Sequence, residues 1–336
     1  MTRTENFDLS TRNTFRMKAK CALYIEYDTV DELKSIDPQS LPQPIMHIGA
    51  GSNLLFTGDF PGTVLHSNVK FLKFVDMGLD EVLMTVGAGV VFDDFVSRSC
   101  EVGLWGAENL SLIPGEVGAA AVQNIGAYGV EAKDIIAGVV CLDTKDWTKT
   151  IFKTKECGYG YRDSMFKREK GRYVITSVLF RLTRKYSPKL DYGGVRAALP
   201  PGAVLTPQMV RETIIGIRRQ KLPDPAETGS AGSFFKNPVV SREHYSRILE
   251  KEKVEVPHYD LPGGFVKIPA AWMIDRCGFK GVRNGGAQVY EKQPLVIINA
   301  TGEATAQDIL GLENQIITTI KERFGVELHP EVEHIG

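Results

Sequence analysis

The sequence predicts a protein of mixed α and β structure with two or three domains. Its 336 residues exceed the usual size of one domain. Short apolar segments of strand length alternate with segments in which apolar residues recur every three or four positions, as on one face of a helix. Apolar residues make up 43% of the chain, which is enough for ordinary cores.

Composition and charge argue against several functional classes. The formal net charge is -1, so there is no basic excess for nucleic acid, and no basic amphipathic helix suggests a membrane surface. No apolar run reaches membrane-spanning length, and the polar N-terminus lacks an apolar signal core. The cysteines form no CxxC pair and indicate neither a disulfide framework nor a metal site; they are Cys21, Cys100, Cys141, Cys157 and Cys277. These features predict a cytoplasmic protein.

The first hundred residues are predicted to be mainly strands. Residues 21–27 alternate as a strand does, and a short helix is expected at 30–33. Residues 45–48 form a short buried strand, and 63–90 contain three further strand segments. Residues 91–100 fit a helix that presents two phenylalanines and a valine on one face.

A glycine-rich segment, GAGSN, follows the strand at 45–48. Two glycines let backbone N–H groups turn inward, and the serine and asparagine add donors that suit a diphosphate. The segment is not a dinucleotide-binding fingerprint, because a third glycine is missing and residues 54–56 continue as a strand. A glycine turn without a ligand is the alternative. The residues are Gly49, Ala50, Gly51, Ser52 and Asn53.

A second small-residue segment spans 113–129, with the sequence IPGEVGAAAVQNIGAYG. A Pro-Gly turn leads into a helix start with almost no side chains, where a flat or phosphorylated ligand could approach the backbone. Tight helix packing would use the same residues. Two such segments in one half of the chain favour a ligand; the candidate residues are Pro114, Gly115, Gly118, Ala119, Gln123, Asn124 and Gly126.

The middle of the chain is predicted to add a further sheet. Strands are expected at 139–142, 150–153 and 174–181, followed by an irregular excursion at 185–205 and a helix at 210–219. That helix ends in a basic cluster of Arg218, Arg219 and Lys221.

An arginine lies between aromatic residues in the segment GYGYRDS. Arg162 could clamp a carboxylate, because a guanidinium binds carboxylates through two hydrogen bonds. A surface arginine stacked on a tyrosine is the alternative.

The segment ETGSAGSFFKNP, residues 227–238, predicts a sharp turn. Glycines on both sides of Ala231 permit positive φ, and the pair Phe234 and Phe235 can anchor the turn in a core. Ser233 would then be held on a stiff support. Its hydroxyl could be a nucleophile, a proton donor or part of a plain turn.

The C-terminal region predicts an amphipathic helix followed by an extended tail. Thr305 and Asp308 form a capping box, Gly325 ends the helix, and Pro330 holds Glu331 in an extended chain. A solvated surface glutamate is the alternative for Glu331. The apolar face comprises Leu312, Ile316, Ile320 and Phe324.

Together these segments resemble the UDP-N-acetylenolpyruvoylglucosamine reductase (MurB) family over nearly the whole chain. IGAGSN, IPGEVGAAAVQNIGAYG, GYGYRDS, KLPDP, GSAGSFFKNP and LHPEV occur in the family's order and spacing. The joint presence of GSFFKNP, YRDS and PEV is specific. The intact YGYRDS segment and the loop around Tyr192 resemble the longer, type I form.

The resemblance implies an α+β fold, with a FAD-binding domain of the vanillyl-alcohol oxidase (PCMH) type in two subdomains and an α+β substrate-binding domain. The expected boundaries are 1–72 with 319–336, then 73–218, then 219–318. FAD is expected to contact the two small-residue segments. No histidine occurs between His66 and His244, so non-covalent attachment is expected.

The chemistry that the resemblance implies is reduction of UDP-N-acetylglucosamine enolpyruvate in peptidoglycan synthesis, by hydride transfer from NADPH through FAD. Arg162 and Glu331 match the groups at the substrate carboxylate, and Ser233 matches the proton donor. The substrate pocket is expected to contain Tyr192, Lys221, Asn237 and Gln293. A monomer with a small-molecule substrate, and no nucleic-acid or membrane partner, is expected.

Two alternatives remain at this point. Another oxidoreductase of the same FAD fold, acting on an alcohol or 2-hydroxy acid, would explain GAGSN but not GSAGSFFKNP together with PEV. A nucleotide-sugar binding or regulatory protein without catalysis would leave the intact Arg162, Ser233 and Glu331 unexplained, and it would be colourless.

Overall fold

The computed structural model describes residues 1–336 and contains two compact units, each discontinuous in sequence. The first unit comprises Met1–Phe7, Cys21–Ala50 and Pro61–Arg219, and the second comprises Asp8–Lys20, Gly51–Phe60 and Gln220–Gly336. The three-part division expected from the resemblance stays a prediction.

The secondary structure confirms the mixed α and β class. The strands are β1 (Thr2–Asp8), β2 (Lys20–Tyr27), β3 (Ile45–Ile48), β4 (Leu54–Phe56), β5 (Phe60–Ser67), β6 (Leu72–Gly78), β7 (Glu81–Gly87), β8 (Gly126–Ala127), β9 (Val130–Glu131), β10 (Ile136–Asp143), β11 (Lys149–Lys153), β12 (Tyr173–Thr183), β13 (Gly229–Ser233), β14 (Val239–Ser241), β15 (Tyr259–Leu261), β16 (Phe265–Lys267), β17 (Arg283–Asn284), β18 (Ala287–Val289), β19 (Val296–Asn299) and β20 (Glu333–Ile335). The helices are α1 (Val30–Lys34), α2 (Phe92–Glu101), α3 (Val117–Gln123), α4 (Met165–Arg168), α5 (Val195–Ala198), α6 (Pro207–Lys221), α7 (Arg242–Glu252), α8 (Ala270–Arg276) and α9 (Ala306–Phe324).

Two sheets organise the first unit. One has the strand order β1-β2-β5-β3, with β3 parallel to β5. The other is antiparallel, with the order β11-β10-β12-β7-β6. Helices α2 and α3 belong to the same buried apolar cluster as this second sheet. The predicted apolar face of α2 is confirmed, because Phe92, Phe95 and Val96 are all buried.

Helix α3 is built from small residues because it packs very closely on the sheet. A Cβ added at Gly118 would lie 3.0 Å from the Cβ of Ala88, just beyond β7. The predicted helix start is therefore confirmed. The alternative interpretation of tight packing is also correct at Gly118, since any larger side chain would force the helix away from Ala88.

The second unit contains the sheet β13-β19-β18-β17, the three-stranded sheet β14-β16-β15 and the parallel pair β20-β4. Helix α9 contacts β17 and β18. Its predicted ends are confirmed: Thr305 and Asp308 form the capping box, and Gly325 has φ +67° at the C-terminal cap. The predicted apolar face, including Leu312 and Ile316, is buried.

The prediction of a turn around Ala231 is wrong. Residues Gly229–Ser233 form strand β13, which pairs with β19 at both ends and has an irregular register between Ser230 and Ser233. Only Gly232 has positive φ, at +73°. The small residues are needed because a Cβ added at Gly229 would lie 2.4 Å from the carbonyl oxygen of Phe15. The prediction that Phe234 and Phe235 anchor the segment in a core is confirmed.

The excursion at 185–205 is less irregular than predicted. It contains helix α5, and its apolar residues form a small core with Trp105 and α6. The buried residues are Leu190, Val195 and Leu199. The tyrosine, glycine and proline residues of this segment favoured the prediction of an irregular structure.

No helix of the chain has the length and apolar character that a membrane crossing requires.

Candidate active site

In the second unit, the C-terminal tail runs beside the segment that follows β13. Phe235 and Pro330 form an antiparallel bridge, and the backbone N–H of Glu331 donates to the carbonyl oxygen of Phe234 at 2.8 Å. The N–H of Lys236 donates to the carbonyl oxygen of His329 at 2.9 Å. These bonds place Glu331 beside the residue that follows Ser233, so two predicted catalytic residues are brought together.

The end of the GAGSN segment joins the same group. The Asn53 side-chain Nδ2 donates to the carbonyl oxygen of Glu331 at 3.0 Å, and the N–H of Glu333 donates to the carbonyl oxygen of Asn53 at 2.9 Å. Segments that are far apart in sequence therefore converge within one unit. Asn53, predicted as a cofactor residue, also orients the tail that carries Glu331.

Gly51 is required by a backbone contact. It has φ +65°, and a Cβ there would lie 2.1 Å from the carbonyl oxygen of Arg12. Its conformation and close approach to the chain explain the glycine without a ligand.

Ser233 is exposed at the end of β13, while the strand beneath it is fixed on both sides. The N–H of Ser230 donates to the carbonyl oxygen of Thr14 at 2.9 Å, and the Thr14 Oγ1 donates back to the carbonyl oxygen of Ser230 at 2.6 Å. Phe234 packs edge-on against Phe15, with ring centroids 6.3 Å apart. The hydroxyl is therefore accessible on a support with little freedom to move.

The predicted substrate residues of the second unit have different surroundings. Gln293 lies in the loop between β18 and β19, whose Leu295 carbonyl oxygen accepts the Phe234 N–H at 2.8 Å. The Asn237 Oδ1 accepts the N–H of Ala270 at 2.9 Å at the start of α8, so its NH₂ group is the one that can face a ligand. Lys221 is exposed at the end of α6.

In the first unit, the start of α3 lies against Gly49. A Cβ at Gly49 would be 3.0 Å from the Cβ of Ala119 and 3.3 Å from the Oε2 of Glu116. The two small-residue segments thus meet here. The N–H groups of Val117 and Gly118 donate to the carbonyl oxygens of Val90 and Ala88, both at 2.9 Å. Those two donors hold the start of α3 to the segment that follows β7.

Arg162 binds the segment that follows α3. Its Nη2 donates to the carbonyl oxygen of Gly126 at 2.8 Å and its Nη1 to that of Asn124 at 3.4 Å. Its guanidinium also stacks on Tyr161, with the carbon 5.2 Å from the ring centroid. The backbone of Arg162 is left-handed, with φ +54°. The tyrosine stacking of the alternative interpretation is present, and the hydrogen bonds to two carbonyl oxygens orient the side chain.

Lys167 is a residue that the sequence interpretation missed. Its Nζ donates to the Oε1 of Gln123 at 2.6 Å and to the carbonyl oxygen of Arg162 at 3.3 Å. Because lysine only donates, the Gln123 atom facing it must be the oxygen. The Gln123 Nε2 then points elsewhere, and it is buried without a hydrogen-bond partner. The spacing of Ser164 and Lys167, three residues apart across the start of α4, is the only signal in the sequence.

The side chain of Asn124 is hydrogen-bonded to other residues of the chain. Its Nδ2 donates to the carbonyl oxygen of Gly160 at 2.8 Å, and its Oδ1 accepts the N–H of Lys133 at 3.0 Å. Its backbone has φ +49° at the end of α3. Tyr192 lies beside the nearby hairpin, since its Cβ is 3.3 Å from a Cβ added at Gly129.

Arg218 lies close to the Pro-Gly turn of the second small-residue segment. Its Nη2 donates to the carbonyl oxygen of Leu112 at 3.3 Å, and its Nε is buried without a hydrogen-bond partner. Burial lowers the pKa of the Arg218 guanidinium. Gly115, in the turn, has φ +119° and accepts the N–H of Phe92 at 2.9 Å, whereas Pro114 is exposed.

These unpaired donors provide a test of whether FAD suits the first unit. Buried donors are normally paired, so the Gln123 Nε2 and the Arg218 Nε indicate an acceptor-rich ligand. Gln123 belongs to the segment at 113–129 that is predicted to contact FAD, and Arg218 contacts Leu112, the residue immediately before that segment. A flavin dinucleotide, with a diphosphate and several carbonyl oxygens, fits this set.

Comparison with known proteins supports the same identification. Residues 224–335 match the C-terminal domain of UDP-N-acetylenolpyruvoylglucosamine reductase, and residues 24–146 match an FAD binding domain family. The UDP-N-acetylenolpyruvoylglucosamine reductase of Bacteroides fragilis strain YCH46 is 46% identical over 98% of this chain and 99% of that protein. The enzyme of the same name from Porphyromonas gingivalis strain W83 is 42% identical over 98% of each chain.

A solved structure shares the fold. The crystal structure of UDP-N-acetylenolpyruvylglucosamine reductase from Thermus caldophilus superposes with a TM-score of 0.69, covering 100% of this chain and 98% of that one at 24% identity. The expected fold class and its FAD-binding domain are confirmed. The chain belongs to the UDP-N-acetylenolpyruvoylglucosamine reductase family and is an FAD-dependent oxidoreductase.

Proposed function

We propose that the chain reduces UDP-N-acetylglucosamine enolpyruvate to UDP-N-acetylmuramate in peptidoglycan synthesis, with NADPH as the reductant. The observation that carries this proposal is the convergence of Asn53, Ser233 and Glu331 in the second unit. It is supported by relatives that are named for this activity and that match 98% of the chain.

FAD is the proposed cofactor of the first unit. When bound, it would supply the hydride chemistry, because a flavin can accept hydride from NADPH and pass it to the enolpyruvyl methylene carbon. Gly49, Ala119 and Gln123 are proposed to contact it, with Arg218 as an additional cation. Both ring nitrogens of His66 are hydrogen-bonded to carboxylates at 2.8 Å, which supports non-covalent attachment.

Ser233 is proposed to protonate the carbon next to the substrate carboxylate. Hydride addition to the methylene group leaves negative charge on that carbon, which is then a strong base, so a weakly acidic hydroxyl is sufficient. The hydroxyl of Ser233 is exposed, and β13 holds its backbone in place. No histidine is needed at this step.

Arg162 is proposed to stabilise the developing negative charge at the substrate carboxylate as a cation, and Glu331 is proposed to act there as a protonated or hydrogen-bonding partner. Arg162 supplies a fixed cation, since its guanidinium is already oriented by the carbonyl oxygens of Asn124 and Gly126. Glu331 is held through its backbone by Phe234 and Asn53. The substrate diphosphate is proposed to bind Tyr192, Lys221 and the Asn237 NH₂ group, with Gln293 in the nucleotide pocket.

An anaerobic spectral titration tests this function. Purified protein is expected to contain FAD, to lose its yellow colour on addition of NADPH and to regain it on addition of UDP-N-acetylglucosamine enolpyruvate. Bleaching without return of colour on that substrate would contradict the proposed reaction. Reduction by an alcohol with oxygen as the oxidant would replace it with the alternative oxidase function. The cytoplasmic location and the monomeric state stay predictions.

A further inference from the structure

Three side chains in the first unit form what we call the carboxylate–imidazole cluster: Glu26 of β2, His66 of β5 and Glu116. The His66 Nδ1 is 2.8 Å from the Glu26 Oε2, and its Nε2 is 2.8 Å from the Glu116 Oε1. His66 is 3% exposed and Glu116 is 8% exposed. None of the three has a part in the proposed reaction.

The two hydrogen bonds suit a cationic His66 between two ionised carboxylates. Ionised carboxylates only accept hydrogen bonds, so two ionised partners at hydrogen-bond distance require an N–H on both ring nitrogens of His66. The imidazole is then a cation that compensates the charge of the Glu116 carboxylate. Tyr24, whose ring centroid is 6.2 Å from that of His66, donates its hydroxyl to Glu26 at 3.2 Å.

The cluster lies directly behind the contact between the two small-residue segments. Glu116 precedes α3, its backbone carbonyl oxygen accepts the N–H of Ala120, and its Oε2 would be 3.3 Å from a Cβ at Gly49. FAD is proposed to place its diphosphate against these segments. An uncompensated Glu116 carboxylate at this place would repel the diphosphate, and the energy of such a repulsion is large where water is largely excluded.

We propose that His66 is a positioning residue for the cofactor, because it neutralises Glu116 and allows this carboxylate to anchor the start of α3 beside a bound diphosphate. The hydrogen bond between Glu116 and His66 holds the residue before α3 in place. The positive charge of His66 reduces the repulsion between the Glu116 carboxylate and a bound diphosphate. The inference rests on the proposed binding of FAD in the first unit.

The test is a double-mutant cycle read by titration of the apoprotein with FAD. His66→Gln is expected to weaken FAD binding by roughly tenfold to a hundredfold, because Glu116 loses its counter-charge. Glu116→Gln is expected to bind FAD as tightly as the wild type or more tightly. The double variant His66→Gln/Glu116→Gln is expected to recover most of the lost affinity.

The dependence of FAD affinity on ionic strength is a second measurement, and a purely structural role of His66 would leave it unchanged. Repulsion between Glu116 and the diphosphate is screened by ions, so the affinity of His66→Gln for FAD is expected to rise with ionic strength relative to the wild type. If His66→Gln fails to fold, Glu116→Gln alone decides, since a loss of roughly tenfold or more in its FAD affinity would overturn the proposal.

Two results for the variants would overturn the proposal. Equal weakening in both single variants with no recovery in the double variant would show that the cluster only braces α3. Unchanged FAD affinity in His66→Gln, with a lower melting temperature, would also overturn the proposal. Glu252→Gln, which disrupts another buried ion cluster, is the control and should lower the melting temperature without changing FAD affinity. Wild-type FAD binding and turnover report separately on the proposed function.

Discussion

At the residue scale, Lys167 shows how one cation sets the role of its neighbours. It faces the Oε1 of Gln123 and the carbonyl oxygen of Arg162, so it joins a proposed cofactor residue to a proposed catalytic residue. Because Lys167 holds the Gln123 oxygen, the NH₂ group of Gln123 faces the other way and can donate to a ligand. An amide without this lysine could present either end to a ligand.

Lys167→Met tests that role. We expect FAD affinity to fall by about tenfold, because the Gln123 donor loses its fixed orientation and two charge-assisted hydrogen bonds disappear. Fluorescence titration of the apoprotein measures the change. Lys155→Met, at an exposed position of the same unit, is the control and should bind FAD as the wild type does. Equal affinities in both variants would remove Lys167 from the site.

The residues that could be predicted from the sequence are those inside contiguous motifs. Ser233, Arg162 and Glu331 belong to segments that resemble a family, and the structure brings Ser233 and Glu331 together. His66 and Glu116 could not be paired in advance, because they lie 50 residues apart and only the fold makes them neighbours. Nothing local distinguishes a buried glutamate of this kind from an exposed one.

At the element scale, β13 shows why a sequence dominated by glycine and serine was misinterpreted. Small residues have low intrinsic strand preference and favour turns, but β19 supplies an apolar neighbouring strand, and tertiary pairing decided the conformation. The helices α2 and α9 were predictable because their apolar periodicity and caps are local signals.

Three helices of the second unit are joined by one buried carboxylate. Glu252, at the end of α7, accepts from the Arg323 Nη2 of α9 at 2.7 Å and from the Arg276 Nε of α8 at 2.8 Å. The hydrogen bonds from Arg323, followed by the one from Arg276, lower the pKa of Glu252 from 4.5 to about 2. Since the folded pKa is depressed, this contribution to stability is present above pH 4.5 and is lost as the pH falls toward 2.

Glu252→Gln is therefore expected to destabilise the protein by roughly 1 to 3 kcal/mol at neutral pH, because two arginines lose a charged acceptor. The difference in stability between wild type and variant should shrink as the pH is lowered from 5 to 3. Urea unfolding at several pH values measures it. Glu250→Gln, at an exposed position of the same helix, should behave as the wild type. A pH-independent difference would contradict the linkage.

At the scale of the whole molecule, the sequence predicts the class and the order of motifs but not the composition of the units. Residues 8–20 and 51–60 fold with the C-terminal part of the chain. This assignment depends on long-range pairs such as β20 with β4 and Phe235 with Pro330, which leave no periodic signal in the sequence. Local pattern can identify such strands without identifying their partners.

Cofactor binding is expected to stabilise the whole chain by mass action. FAD at a hundredfold excess over its dissociation constant should raise the melting temperature of the apoprotein by a few degrees, because it binds the folded state alone. Differential scanning fluorimetry with FAD measures the change. Riboflavin, which lacks the diphosphate, should have a smaller effect at the same concentration. An identical response to both would argue against a diphosphate contribution to binding.

The most direct measurement is the rate of flavin reoxidation by UDP-N-acetylglucosamine enolpyruvate in Ser233→Ala, followed by anaerobic stopped flow. We expect reduction by NADPH to remain near the wild-type rate and reoxidation by the substrate to slow by about 10²-fold or more, the usual effect of losing a general acid. Ser246→Ala, an exposed serine of the same unit, is the control. Equal slowing of both half-reactions, or normal reoxidation, would contradict the role of Ser233 as the proton donor.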